Sequence, residues 1–140
     1  MLNKREVLNR LATAALLTGC AAPYQEDSIL RELTLFNLGG YSSKQISEDQ
    51  FQVEFSASQH TDYETVAKYV QYRSATLSLE KGYDGFIYEA PVHYLSPPRN
   101  GYKKHVGTTI RLLKRPFAHP GVIDAKALQE NLKLFIESKK

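Results

Sequence analysis

Three segments have the residue pattern of β-strands. They are residues 50–56, 85–89 and 105–113. The first is the clearest, because Phe51, Val53 and Phe55 alternate with polar side chains and so point to one face of an extended chain. The residues of the third segment that share one face are Val106, Thr108, Ile110 and Leu112.

Two other segments have the spacing of amphipathic helices. The first covers about residues 62–81, with Thr61 as N-cap, Glu64 completing a capping box, and Gly82 as a C-terminal cap in the left-handed conformation. Its predicted inner face consists of Val66, Val70, Arg73 and Leu77. The second helix follows Asp124, its predicted N-cap. The apolar residues of that helix are Ala125, Leu128, Leu132, Phe135 and Ile136.

The order of these elements predicts one α+β domain over residues 41–140. We expect a small three- to four-stranded sheet packed by the long helix and the C-terminal helix. The strand–helix–strand order implies a right-handed crossover and allows a parallel pair of strands. Prolines, Asn100 and Gly101 predict a loop or hairpin turn over residues 95–104. Within the preceding connector, residues 28–38 are apolar enough to pack either as a short helix or as an edge strand.

The first twenty residues have the layout of a secretory signal peptide. A basic start is followed by an apolar stretch that is shorter than the roughly 20 residues of a membrane span. The segment Leu17-Thr18-Gly19-Cys20 then resembles the lipobox of bacterial lipoproteins, in which the cysteine takes a diacylglycerol and becomes the first mature residue. This resemblance implies a signal peptide at 1–19, lipidation at Cys20 and a lipid-anchored connector at 20–40. The alternative is a buried amphipathic helix that ends at Cys20 by chance.

Cys20 is the only cysteine, which excludes a disulfide within the chain. Acyl chains on this residue would anchor the protein firmly, because each buried methylene contributes ~0.8 kcal/mol. In enteric lipoproteins, which this segment resembles, an alanine at the position of Ala21 is compatible with export to the outer membrane. We therefore expect a location in the bacterial cell envelope, lipid-anchored in the outer membrane and facing the periplasm.

Charge is unevenly distributed along the chain, although the formal net charge is only +3. Residues 24–64 contain eight acids and two bases, whereas residues 90–123 contain six bases and no acid. These blocks either attract each other across the fold or present a basic face to an anionic surface. The candidate contacts to an anionic envelope polymer are Arg99, Lys103, Lys104 and Arg111. The alternative is an edge strand kept soluble by its charges.

Candidate chemistry is sparse. No nucleophile elbow, phosphate loop or zinc-protease motif occurs. The histidines, which lack the spacing of a metal site, are His60, His93, His105 and His119. We therefore expect no catalytic residue, no cofactor and no metal. Because the mature segment is nearly neutral, nucleic acid is not an expected partner.

Two further features have alternative interpretations. Arg73 is either a buried cation that holds a ligand, or a side chain that reaches the surface or pairs with Glu54 or Asp84. Five tyrosines surround the long helix and the strand after it, and they form either a carbohydrate-stacking face or the edge of the core. They are Tyr63, Tyr69, Tyr72, Tyr83 and Tyr88.

Several short segments of the mature chain occur in an order and spacing that resemble one family. They are Pro23-Tyr24-Gln25, Gly40-Tyr41-Ser42, residues 51–55, Tyr72-Arg73-Ser74-Ala75, residues 82–86 and Asp124-Ala125. The chain is similar over most of residues 23–140 to a family of small bacterial lipoproteins of unknown function, the CC0125/CC1285 type. It departs from that family at Thr76, where the family tends to have a glutamate. The resemblance implies a compartment and a fold but no activity.

The expected function is therefore that of a non-catalytic accessory or interaction module in the cell envelope. The expected partners are the membrane, through lipid on Cys20, and either envelope proteins or an anionic envelope polymer. A periplasmic enzyme or a glycan- or lipopolysaccharide-binding protein is the alternative.

Overall fold

A computed structural model of the chain describes residues 39–139. The predicted signal peptide, Cys20, and residues 28–38 lie outside the described residues, so they remain predictions. Across the described segment, neither helix combines the length and the apolar character that crossing a membrane requires.

The described chain forms an α+β domain, as predicted. Its elements, in chain order, are β1 (Gly39–Gln45), β2 (Gln50–Ala57), α1 (Tyr63–Glu80), β3 (Gly85–Tyr88), β4 (His93–Tyr94), β5 (Lys104–Leu113), β6 (Ile123–Asp124) and α2 (Ala125–Glu137). The sheet order is β1-β2-β5-β3-β6, and β4 pairs with β5. The predicted sheet of three to four strands is too small, because β1 and the two-residue strands β4 and β6 bring the described sheet to six.

Every strand pairing in the described segment is antiparallel, so the parallel pair that the sequence allowed is not formed. β2 and β3 do run in the same direction, but β5 lies between them and hydrogen-bonds to both. The helix α1 therefore connects two strands that are not neighbours. β3 and β4 follow each other along the same edge of β5, and between them the amide groups of Glu89 and Ala90 both donate to the carbonyl of Thr109.

The core lies between the sheet and the two helices. Phe51, Val53 and Phe55 are buried on the helix-facing side of the sheet, as their alternation predicted. On β5 the buried residues of the same side are Val106, Thr108, Ile110 and Leu112, again as predicted. The ring of Tyr69 on α1 lies 4.6 Å from that of Phe55 and 6.1 Å from that of Phe135 on α2, measured between ring centroids.

The ends of α1 confirm one predicted cap and correct the other. Asp62, not Thr61, is the N-cap: its Oδ1 accepts a hydrogen bond from the amide of Thr65 at 2.9 Å. Thr61 is instead buried. At the other end Gly82 has φ +80°, and the amide of Tyr83 donates to the carbonyl of Ser78, the geometry of a Schellman motif.

Asp124 is the N-cap of α2, as predicted, since it accepts a hydrogen bond from the amide of Ala127 at 2.8 Å. Ala125 and Ile136 are buried within the core. The other predicted residues of the apolar stripe, which pack against that core while partly exposed, are Leu128, Leu132 and Phe135.

Candidate functional site

The four candidate contacts to an anionic partner do not lie together. Arg99 and Lys103 belong to the loop between β4 and β5, whereas Lys104 begins β5 and Arg111 lies seven residues further along it. At about 3.3 Å per residue, that separation is roughly 23 Å. Lys104 and Arg111 also point to opposite sides of the sheet, because successive residues of a strand alternate between its two sides. Lys104 is two residues from Val106 and so shares its core side, whereas Arg111 is an odd number of residues away.

Arg111 is held by two carboxylates. Its Nε donates to Glu89 Oε1 at 2.6 Å, and its Nη1 lies 3.2 Å from Asp49 Oδ1. The hydrogen bond to Glu89, together with the negative charges of Glu89 and Asp49, raises the pKa of the Arg111 guanidinium above its ordinary value. The charge of Arg111 is therefore already balanced within the fold.

Lys104 also has a partner within the fold. Its Nζ donates to the carbonyl oxygen of Thr61 at 2.7 Å. A second link joins the same two regions, because the amide of Gly101 donates to Gln59 Oε1. Together these bonds fasten the β4–β5 loop to the segment between β2 and α1.

Arg99 differs from the other described arginines. Arg73 pairs with Glu80 at 3.1 Å, Arg111 with Asp49 and Glu89, and Arg115 with Asp124. In contrast, no carboxylate within residues 39–139 pairs with Arg99. The ammonium of Lys103 likewise has no carboxylate partner in this part of the chain. The loop thus carries two cations that the described fold leaves unbalanced.

These two cations line a cleft of about 520 Å³ at the end of the β4–β5 hairpin. The lining residues are Ser96, Pro97, Arg99, Tyr102, Lys103 and His105. The side chain of Tyr102 is prominent, since the residue is 67% exposed. The cleft therefore combines positive charge, an accessible aromatic ring and a hydroxyl group.

His105, which the sequence offers only as one of four histidines without metal-site spacing, lines this cleft. Its Nδ1 lies 3.0 Å from Glu54 Oε1. That contact orients the ring and leaves Nε2 as the second nitrogen, which donates a hydrogen bond when the imidazole is protonated. His105 is next to Val106 on β5, so its side chain points away from the core. That position on the strand is the sequence signal that could have identified His105 as a surface residue.

Arg73 has a different partner from the two that the sequence suggested. It pairs with Glu80, seven residues further along α1, rather than with Glu54 or Asp84. Seven residues are two helical turns, so both side chains lie on one side of the helix. The guanidinium also lies 4.6 Å from the centroid of the Tyr41 ring, and Nε donates to Ser43 Oγ at 3.2 Å. Arg73 thus links α1 to β1.

The other histidines and the tyrosines contribute little to a site. Within residues 39–139 no three His, Cys, Asp or Glu side chains come together in a way that could hold a metal ion. Tyr69 is fully buried, and burial raises the pKa of both Tyr69 and Tyr88 to about 12. Tyr63 is more exposed, but its hydroxyl donates to the carbonyl of Val92 at 2.8 Å. These contacts favour core packing over a carbohydrate-stacking face.

Comparison with protein-family models, with curated proteins and with solved structures gives no significant match.

Proposed function

We propose that the protein is a lipid-anchored bacterial envelope lipoprotein whose domain works by contact rather than by catalysis. The anchor is Cys20, on the strength of the lipobox-like segment that ends there. The contact surface is the β4–β5 loop. The observation that carries this part is the charge balance: Arg99 has no carboxylate partner within the described residues, whereas the other described arginines do. Lys103 adds a second positive charge to the same loop.

The described pattern of ion pairs supports a contact role. Carboxylates that lie close to arginines are engaged by them, as in the pairs of Glu80 with Arg73, and of Asp49 and Glu89 with Arg111. Unbalanced cations on an exposed loop, in contrast, keep their attraction for an anionic partner.

The length of the connector limits the distance between the anchor and the described domain. Gly39 lies 19 residues after Cys20. A chain of that length spans at most about 65 Å when it is fully extended. The partner would be an envelope protein or an anionic envelope polymer.

Site-specific photo-crosslinking in intact cells tests the contact surface. A benzophenone amino acid is placed at Tyr102 in the β4–β5 loop or, as the control, at Leu134 on α2, which is also exposed. We expect reproducible crosslinks from position 102 that are absent from position 134. Crosslinks to the same neighbours from both positions, or none from position 102, would exclude the loop as the contact surface.

A further inference from the structure

We infer that the cleft between Arg99 and His105 binds an organic phosphate, a phosphomonoester carried on a ring such as a sugar. This inference deepens the proposed contact function and rests on it for the place where the ligand is met, the cell envelope. The charge, the shape and the hydrogen-bonded loop of the cleft favour such a ligand.

The charge of the cleft fits a phosphate. Arg99 and Lys103 supply two cations, and none of the lining residues is acidic. Glu54 contacts one of these lining residues, since its Oε1 lies 3.0 Å from His105 Nδ1. A phosphomonoester carries about −1.5 to −2 charges at neutral pH and presents three acceptor oxygens. The fork of an arginine side chain matches that geometry, while a lysine adds a mobile point charge.

The size and the walls of the cleft indicate more than a bare phosphate. Its volume of about 520 Å³ falls within the roughly 300–1,000 Å³ of small-molecule sites. Pro97 and the exposed ring of Tyr102 provide apolar surface beside the cations, and Ser96 provides a hydroxyl. An amphipathic ligand, with a ring against Tyr102 and a phosphate against the basic residues, uses both parts.

The loop that forms the cleft is braced at several points. The amide of Leu95 donates to the carbonyl of His105 at 2.8 Å, and that of Tyr102 donates to the carbonyl of Arg99 at 3.2 Å. Gly101 adopts φ +83°, a conformation that favours glycine, and its amide is bound by Gln59. Because these hydrogen bonds already order the loop, ligand binding loses less conformational entropy.

Titration of the full chain in a non-ionic detergent, by calorimetry or by NMR shifts, tests the inference. The probes are glucose 1-phosphate, glucose and inorganic phosphate, each up to about 10 mM, which detects binding as weak as millimolar. We expect glucose 1-phosphate to bind at least about tenfold more tightly than either of the other probes, because only it engages both walls.

Two double variants distinguish binding at the cleft from a general effect of the protein's positive charge. Arg99→Gln with Lys103→Gln should weaken glucose 1-phosphate binding at least about tenfold, because it removes both charge-assisted contacts. Lys126→Gln with Lys133→Gln removes two exposed cations of α2 and should leave binding unchanged. Tyr102→Leu removes the aromatic wall, so it should reduce the difference in affinity between glucose 1-phosphate and inorganic phosphate. Circular dichroism checks that each variant is folded.

Three results would overturn the inference: no binding of glucose 1-phosphate, equal binding of inorganic phosphate, or equal losses in the two double variants. These outcomes are distinct from failure of the proposed function. The titration uses purified protein, so a negative result leaves the anchor and the crosslinking pattern unaffected. Conversely, a missing lipid anchor would leave phosphate binding unchanged.

Discussion

Replacing Gly85 with alanine would place a methyl group where the sheet has no room for it. A Cβ atom at this position of β3 would lie 2.5 Å from the carbonyl oxygen of Ile123, 2.9 Å from Phe117 Cζ and 3.0 Å from Val122 Cγ1. The nearest atom is backbone, in the strand β6 that pairs with β3 at this point. Rotation of a side chain therefore cannot relieve the clash, and β6 would have to move.

The expected cost is that of overpacking, about 1–3 kcal/mol in the free energy of unfolding. For a domain of this size each kcal/mol corresponds to a fall of roughly 4–8 °C in Tm. Gly121→Ala is the matched control, because the nearest atoms to a Cβ there lie 3.5 Å away, in the ring of His119. Neither glycine has a positive φ, so backbone strain does not distinguish them. The control should stay within about 0.5 kcal/mol of the wild type.

Urea unfolding of the full chain, followed by far-UV circular dichroism, measures both variants. With an unchanged m-value, a shift in the urea midpoint reports a change in the free energy of unfolding. If Gly85→Ala and Gly121→Ala had the same midpoint as the wild type, the close packing of β6 and residues 117–122 over β3 would be refuted.

Three further predictions concern the cap of α1, a buried tyrosine and the last helix. Asp62→Ala should cost about 1 kcal/mol by removing the N-cap. The hydrogen bonds from Thr65 hold the pKa of Asp62 below its ordinary 3.8. The stability that Asp62 contributes should therefore be present above about pH 4 and be lost as the pH falls below that value. The urea midpoints at pH 6 and pH 3 should differ less from each other in the variant than in the wild type. Burial raises the pKa of Tyr88 from 10.0 to about 12, so stability should fall as pH rises through that interval, and less so in Tyr88→Phe; an equal alkaline slope in both proteins would contradict this. Deleting residues 124–140 removes α2 from its contact with Tyr69 and should cause aggregation, detectable by light scattering; a soluble truncation with a cooperative melt would show that α2 is dispensable.

The elements that the sequence predicted well are those whose burial leaves a periodic pattern. β2 and β5 each bury one side against the helices and leave most of the other side partly exposed, so the alternation of apolar and polar residues identified their inner residues. Both helices were also predicted, because their ends have local signals: Gly82 at the end of α1 and Asp124 at the start of α2.

β1 was missed because its stability does not come from an apolar pattern. Its sequence, Gly-Gly-Tyr-Ser-Ser-Lys-Gln, is mostly small and polar, and it is held by antiparallel pairing with residues 51–57 of β2. The N-cap was misplaced by one residue because Thr61 and Asp62 are both good caps, and only the fold shows that Thr61 is buried.

The candidate site could be predicted only in part. The basic character of residues 99–111 is visible in the sequence, and the loop position of Arg99 and Lys103 follows from the prolines and Asn100-Gly101. Which cations are already balanced was not visible, because Arg111 meets Asp49 across 62 positions of the chain. Ion pairs of this kind depend on strand order, which local patterns do not determine.

The chemical state of Cys20 tests the central claim most directly. Mass spectrometry of the protein from bacterial membranes should show a mature chain that begins at Cys20 and carries acyl groups. The Cys20→Ser variant, or wild type treated with globomycin, should accumulate as the uncut precursor. A wild-type Cys20 with a free thiol, or normal processing of Cys20→Ser, would contradict the account of a lipid-anchored envelope protein.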